Sequence, residues 1–276
     1  VSVLQDIIAG VREDLDARRQ AVGLEELKVR AAAAAPALDA YAALGGTSAL
    51  RADLRVIAEV KRRSPSKGDL AGIADPAALA RQYADGGASV ISVLTEERRF
   101  SGSLADLDAV RAAVDIPVLR KDFTCDPYMI WEARAHGADL VLLIVAALGD
   151  DELREYLALT HELGMNAVVE THTAGELARA VAVDAKIIGI NVRNLKTLDV
   201  DRGTFAALAG NIPAGSVVIA ESGVRDAQDV RHYAGHGANA ILVGEALVRD
   251  AAPLERIAEF KEAGAEAIKG RIPSPR

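Results

Sequence analysis

From residue 54 onward the chain alternates two kinds of segment. A short run of Val, Ile, Leu and Ala is followed by a longer stretch with apolar residues at helical spacing. The apolar runs cover 54–60, 89–94, 117–120, 140–145, 167–170, 186–191, 217–221 and 240–243. They are nearly continuous in apolar residues, as expected of strands covered on both faces of a parallel sheet. Their ends recur about every 26 residues, the length of one strand–helix unit. Eight such units predict an α/β protein, a closed (β/α)8 TIM barrel. An open doubly wound sheet is the alternative, weakened because no G-x-G-x-x-G follows the first run.

Turn and cap residues agree with this rhythm. Asp75-Pro76 and Asp126-Pro127 each offer an N-cap with proline at the first helical position. Gly86-Gly87-Ala88, His136-Gly137-Ala138 and His236-Gly237-Ala238 stand just before strands, where glycine suits a left-handed helix end. Before the barrel, Leu4, Ile7, Ile8 and Val11, then Leu24, Leu27 and Val29, mark amphipathic helices. The expected organisation is an N-terminal helical extension over 1–45 and a barrel catalytic domain over 46–270, one domain overall. The last helix is expected near 254–267, with a frayed tail over 271–276.

Composition narrows the classes of function. The chain has 276 residues, half of them hydrophobic and only 4% aromatic, so its core is aliphatic. A net charge of −8 disfavours nucleic acid and anionic membranes as partners. A single cysteine, Cys125, excludes an internal disulfide and a cysteine-cluster metal site, and fits a reduced, cytoplasmic setting. Asp6 and Arg12 interrupt any signal-type apolar core. The longest apolar run, 140–149, is about half of a membrane span.

In such a barrel the chemistry sits at the C-terminal ends of the strands. Those ends carry Glu59 and Lys61, Lys121 and Phe123, Glu170, Asn191 and Arg193, Glu221-Ser222-Gly223, and Gly244-Glu245. Residues two apart point to one side of a strand. Solvation of strand ends explains any one of them; two lysines and several carboxylates beside β-branched runs point to a functional mouth. Ser222-Gly223 and Gly244 follow the seventh and eighth runs, the usual phosphate seat of these barrels. The basic stretch from Lys61 to Gly68, with Arg98-Arg99 and Arg120-Lys121, is expected to add a cationic face for an anionic small molecule. His136, His161, His172, His232 and His236 show no metal-ligand spacing. His172 is expected to cap a helix or meet solvent, and Cys125 to be incidental. Asp199 and Asp201 are expected to order their loop. Tyr128 and Trp131 are expected to pack against the outer layer of the barrel.

The segments IAEVKRRSPSKG, VLRKDF, VVETHT, GINVRNLKTLDVD, IAESGV and ILVGEALV, in this order, closely resemble the indole-3-glycerol phosphate synthase family, from about residue 4 to 264. The resemblance implies a (β/α)8 barrel whose extra N-terminal helices pack by the substrate mouth. It implies a carbon–carbon carboxy-lyase of tryptophan biosynthesis that uses neither metal nor organic cofactor. The substrate would be 1-(2-carboxyphenylamino)-1-deoxyribulose 5-phosphate, a phosphorylated small molecule. Apart from the resemblance, a monomer is expected, with no nucleic acid and no membrane as partner.

Carried over by motif, Lys121 resembles the general acid at the ketone and Glu170 the base or relay for dehydration. Glu59 and Lys61 match the first-strand pair, Lys61 holding the substrate anion and assisting proton transfer. Asn191 and Arg193 match the sixth-strand polar pair and Ser64 the loop serine. Ser222, Gly223, Gly244 and Glu245 match the phosphate seat. Phe100, Phe123 and Leu142 match the apolar pocket for the anthranilate ring, and Glu221 and Leu242 are counted with the substrate wall. Thr171 and Arg63 depart from the family pattern; Thr171 alternates away from Glu170, so little effect is expected. Another phosphosugar barrel, such as an isomerase, and a phosphometabolite-binding protein without catalysis are the competing readings.

Overall fold

The computed structural model describes residues 3–47, 53–64, 68–70, 72–195 and 197–271. Eight parallel strands close into a barrel: Arg55–Val60, Val90–Leu94, Val118–Lys121, Leu140–Ile144, Asn166–Thr171, Ile187–Asn191, Val217–Glu221 and Ala240–Val243. Each strand pairs with its predecessor and successor in the chain, and the eighth pairs with the first through Arg55↔Ala240 to Ala58↔Val243. Closure removes both sheet edges and excludes the open-sheet alternative. Each strand ends within one residue of its apolar run, because β-branched residues buried on both faces favour the pleated ladder at all of these positions.

The alternation of each strand separates two cores. Ile57, Val90, Leu119, Leu140, Leu142, Val168, Ile187, Ile219 and Leu242 fill the barrel interior. Their neighbours Val56, Ala58, Val93, Val118, Val141, Val169, Ile188 and Ile241 meet the surrounding helices. This register decides what the mouth contains. Counting two residues on from Ile57, Leu119, Val168, Ile187 and Ile219 brings Glu59, Lys121, Glu170, Gly189 and Glu221 inside.

The expected caps are present. Asp75 accepts from the Ala78 amide and Asp126 from the Tyr128 amide. Gly87, Gly137 and Gly237 all have positive φ at helix ends. The last helix runs Pro253–Arg271, longer than expected; residues 272–276 lie outside the described residues.

Two expectations need correction. The N-terminal helices do not all sit by the mouth. Val3–Ala21 and Leu24–Ala33 pack against Pro127–Ala135 and the loop carrying Phe123 and Cys125. The third, Ala40–Ala43, covers the opposite end: Ala40 and Leu44 join the interior core, and Asn166, at the start of the fifth strand, accepts from the Ala40 amide at 2.9 Å. Asp139 likewise accepts from the Leu38 amide at 2.7 Å. Tyr128 packs against the N-terminal helices and not against the outer layer of the barrel, and its hydroxyl donates to the Val22 carbonyl at 2.9 Å. Trp131 packs partly against the same cluster.

Candidate active site

Polar residues replace aliphatic ones in the top layer of the barrel interior, and most of them are sealed. Glu59, Glu170 and Glu221 are each 2% exposed or less. Two ion-paired groups occupy this layer. In the first, Lys61 Nζ stands 2.6 Å from Glu59 Oε1. A Cβ on Gly244 would fall 2.7 Å from that oxygen and 3.1 Å from Nζ, so a side chain there would have to displace this ion pair. Ser92, buried on the adjacent strand, reaches Glu59 Oε2 at 3.4 Å.

In the second group Lys121 Nζ lies 2.8 Å from Glu221 Oε2 and 3.2 Å from Glu170 Oε2. Burial works against the Lys121 ammonium, but Glu221, Glu170 and Glu59 more than offset it, so the lysine stays charged. The two carboxylates diverge. Burial raises both, but Lys121 and His172 together hold Glu170 well below the usual carboxylate range. Glu221 is pushed up to about 7 by burial, with the Glu170 charge adding to it against the opposing pull of Lys121. Two carboxylates on one lysine thus keep one proton between them near neutrality. Glu221 fits only because the sixth strand has glycine at 189; any Cβ there would collide with its carboxylate. A glycine inside an otherwise aliphatic strand was the available sequence signal.

The sixth and seventh strand ends meet through Asn191, whose Oδ1 accepts from Ser222 Oγ at 2.9 Å and from the Arg193 amide at 3.0 Å. Ser222 and Gly223 are consecutive left-handed residues, with φ of 71° and 76°. Tyr233 Oη donates to the Ser222 carbonyl, and Arg202 donates to that of Gly223 at 2.8 Å, which holds this bend in place. Phe100 and Phe123 have ring centroids 6.0 Å apart. Leu142 and Leu242 belong to the interior core beneath the polar layer.

Other named residues are turned to local work. The Arg193 guanidinium donates to the Leu198 carbonyl of its own loop at 2.9 Å. Asp201 accepts from the Gly203 amide and starts the helix Gly203–Ala209, while the Asp199 carbonyl accepts from the Asn194 amide. Glu245 pairs with Arg249 at 3.1 Å. Ser64 is buried, in the two-residue strand Arg63–Ser64 that pairs antiparallel with Gly68–Asp69. Residues 65–67, including Lys67 of the basic stretch, lie outside the described residues. Thr171 faces away from Glu170 and donates to the Gly189 carbonyl at 3.0 Å.

Among the described residues, four arginines of the expected cationic face are ion-paired and not free. Arg62 pairs with Asp106, Arg63 with Asp69, and Arg98 with Glu13 and Asp14 of the first helix. Arg120 points out of the barrel into a sealed network. Carboxylates of this acidic chain take up these four arginines, while Lys61 and Lys121 stand at the barrel mouth beside Glu59, Glu170 and Glu221. His172 also differs from expectation. It is neither a cap nor solvated, but lies buried between Glu170 and Glu176. Cys125 is a buried thiol, pushed up by that burial. A cavity of about 120 Å³ lies under the first helix, lined by Asp14, Arg18, Glu96 and Arg120; none of the mouth residues reaches it.

A closed parallel barrel with a sealed lysine–carboxylate cluster at the C-terminal ends of its strands defines a TIM-barrel acid–base enzyme. The family model of indole-3-glycerol phosphate synthase matches residues 4–260. The chain belongs to the indole-3-glycerol phosphate synthase family, decarboxylating lyases of tryptophan biosynthesis. It is 73% identical to the indole-3-glycerol phosphate synthase of Arthrobacter sp. (strain FB24) over 272 residues, covering 99% of this chain and all of that protein. It is 60% identical to that of Micrococcus luteus, covering 95% and 98% of the two chains. Among solved structures, 3-hexulose-6-phosphate synthase shares the fold at TM-score 0.61 and 19% identity, over 76% of this chain and 99% of that one. Thiamine phosphate pyrophosphorylase from Pyrococcus furiosus does so at 0.59 and 15%, over 79% and 98%.

Proposed function

We propose that the mouth converts 1-(2-carboxyphenylamino)-1-deoxyribulose 5-phosphate to indole-3-glycerol phosphate with Lys121 and Glu170 as its principal acid and base. The observation that carries this reading is the buried triad in which one ammonium stands within 3.2 Å of two carboxylates that favour opposite protonation states. Lys121 protonates the ketone oxygen as the aromatic carbon attacks it. The ring carboxylate leaves as carbon dioxide, and aromaticity returns. Lys61, oriented by Glu59, holds the carboxylate and assists proton transfer to the departing hydroxyl. The nitrogen lone pair helps expel the hydroxyl as water, and Glu170 takes the proton from the adjacent methylene carbon, so the ring double bond forms and the N–H is kept. Each such acid or base contributes about 10²–10⁴-fold.

The anthranilate ring rests against Phe100, Phe123 and Leu142, with Glu221 and Leu242 completing the wall. Asn191, Arg193 and Ser64 face the ribulose hydroxyls and carboxylate. The phosphate is held by Ser222 and by backbone amides of Gly223, Gly244 and Glu245, where a left-handed bend and the start of a short helix turn N–H groups outward. The protein works as a cytoplasmic monomer, without metal or cofactor.

The test is direct. Purified protein is mixed with the carboxyphenylamino sugar phosphate, and carbon dioxide and indole fluorescence are followed together. Both are expected to appear in equal amounts. Binding without carbon dioxide release would establish the non-catalytic reading instead.

A further inference from the structure

Glu170 and Glu221 flank the same lysine, yet only one of them can serve as the free base. The two differ in what lies behind them. Behind Glu170 stands His172, with Nε2 3.3 Å from Glu170 Oε1 and its side chain 9% exposed. His172 is in turn held by Glu176, which accepts from its backbone amide at 2.7 Å and lies 3.2 Å from its Nδ1. Behind Glu221 is the backbone of Gly189, and its Oε1 is buried without a hydrogen-bond partner. His172 Nε2 is likewise buried and unpartnered. Two lone-pair atoms facing each other at 3.3 Å repel; a proton on the imidazole turns the contact into a charge-assisted one.

We propose that His172 is a positioning residue that decides which carboxylate of the pair is the base: its imidazolium, anchored by Glu176, keeps Glu170 ionised and leaves the shared proton on Glu221. The proposal rests on the reading of Glu170 as the base. The groups facing His172 are Glu170 on the fifth strand, Glu176 on the following helix and Glu221 on the seventh strand, with Lys121 of the third strand beyond the carboxylates. Burial lowers the imidazole, but these three carboxylates outweigh it and raise it, so it carries its charge further toward neutral pH. Removing that charge raises Glu170 relative to Glu221, and the proton moves across the pair.

Infrared spectra of the neutral carboxyl band at about pH 6, below the Glu221 midpoint of about 7, read this without substrate. In the otherwise unaltered chain, Glu221→Gln is expected to remove a neutral-carboxyl band. In a His172→Gln background the band is expected to survive Glu221→Gln and to vanish with Glu170→Gln. With substrate, His172→Gln is expected to raise the acidic limb of kcat/KM by about one pH unit and lower kcat about tenfold with KM within about twofold. Glu176→Gln, which leaves His172 in place, is expected to act in the same direction to a smaller extent, and covers the case in which His172→Gln does not fold. His172→Lys, which restores a cation, is expected to bring the limb back toward its original position. A neutral band that stays on Glu221 in the His172 and Glu176 variants, or an unmoved acidic limb, overturns the proposal. Absence of turnover by the unaltered chain would instead overturn the catalytic reading and leave the infrared result standing.

Discussion

Arg120 and Lys121 are consecutive residues of one strand, each a buried cation between two carboxylates, and they face opposite sides of the barrel wall. Arg120 points outward. It is 3.1 Å from Asp122 and 2.9 Å from Glu132, donates to Thr95 Oγ1 at 3.1 Å, and donates to the Met129 carbonyl at 3.0 Å. Arg18 of the first helix joins through Glu132 at 2.9 Å. Lys121 points inward to Glu170 and Glu221, and its side chain is 12% exposed against 2% for Arg120. The guanidinium is planar, always charged and fully engaged, so its network orients the strand, the following helix and the N-terminal segment. The ammonium is a point charge with a third hydrogen to offer, beside a carboxyl that titrates near neutrality. Similar counts of charge make a strut on one side of the wall and an acid–base device on the other.

The largest expected effect tests the inner side. Lys121→Ala should lower kcat by about 10²–10⁴-fold while circular dichroism shows an intact barrel, because the two carboxylates left behind can share a proton. Indole formation at an undiminished rate would remove Lys121 from the mechanism. Glu170→Gln should act at a later step. Carbon dioxide release should outrun indole appearance, which falls by a factor within the same range of about 10²–10⁴. Equal rates for both products, unchanged from the parent chain, would take Glu170 out of the dehydration.

The outer side should fail differently. Arg120→Met leaves Asp122 buried without its counter-charge and Glu132 with Arg18 alone, a loss of about 3–5 kcal/mol in denaturant unfolding. The folded fraction should retain its turnover, since the guanidinium touches nothing in the mouth. A stability within about 0.5 kcal/mol of the parent chain would show that the network is structurally idle.

The contrast between these neighbours also marks what the sequence could reveal. The strands were legible because aliphatic residues buried on both faces leave long unambiguous runs, and the period of two then decides which polar residues share the interior. Glu59, Lys121, Glu170 and Glu221 follow from that count alone. Pairing across the barrel does not. No local pattern says that Arg62 and Arg98 turn to Asp106, Glu13 and Asp14, nor that Arg120 faces Glu132 through the wall. The expected basic face holds only in part for this reason: Lys61 and Lys121 reach the mouth, while Arg62, Arg63, Arg98 and Arg120 are taken up by carboxylates. His172 was misread because it sits one residue past the strand, where alternation no longer fixes direction and Glu176 pulls the chain into the next helix. Gly189 carried a readable signal, an interior glycine in a strand, whose meaning depends on the Glu221 carboxylate lying against it.

The smallest expected effect sharpens the comparison by pH. Glu221 is raised from 4.5 in the open chain to about 7 when folded. Across that window the folded chain holds a proton the unfolded chain has released, so this carboxyl makes stability fall as pH rises, by up to about 1.4 kcal/mol per unit. Glu170 is shifted the other way; its contribution is complete above its unfolded value and is lost only as acid is added below it. His172, raised from 6.5, contributes a loss that begins about one unit below that value and grows through it. Between about 5 and 6 the slope from this site therefore belongs mainly to Glu221. Glu221→Gln, a fixed neutral side chain, should flatten unfolding free energy against pH in that interval. Arg120→Met, less stable throughout, should run parallel to the parent chain, because a guanidinium does not titrate there. If Glu221→Gln kept the parent slope, the proton would not reside on Glu221, and the assignment of the neutral member of the inner pair would fail.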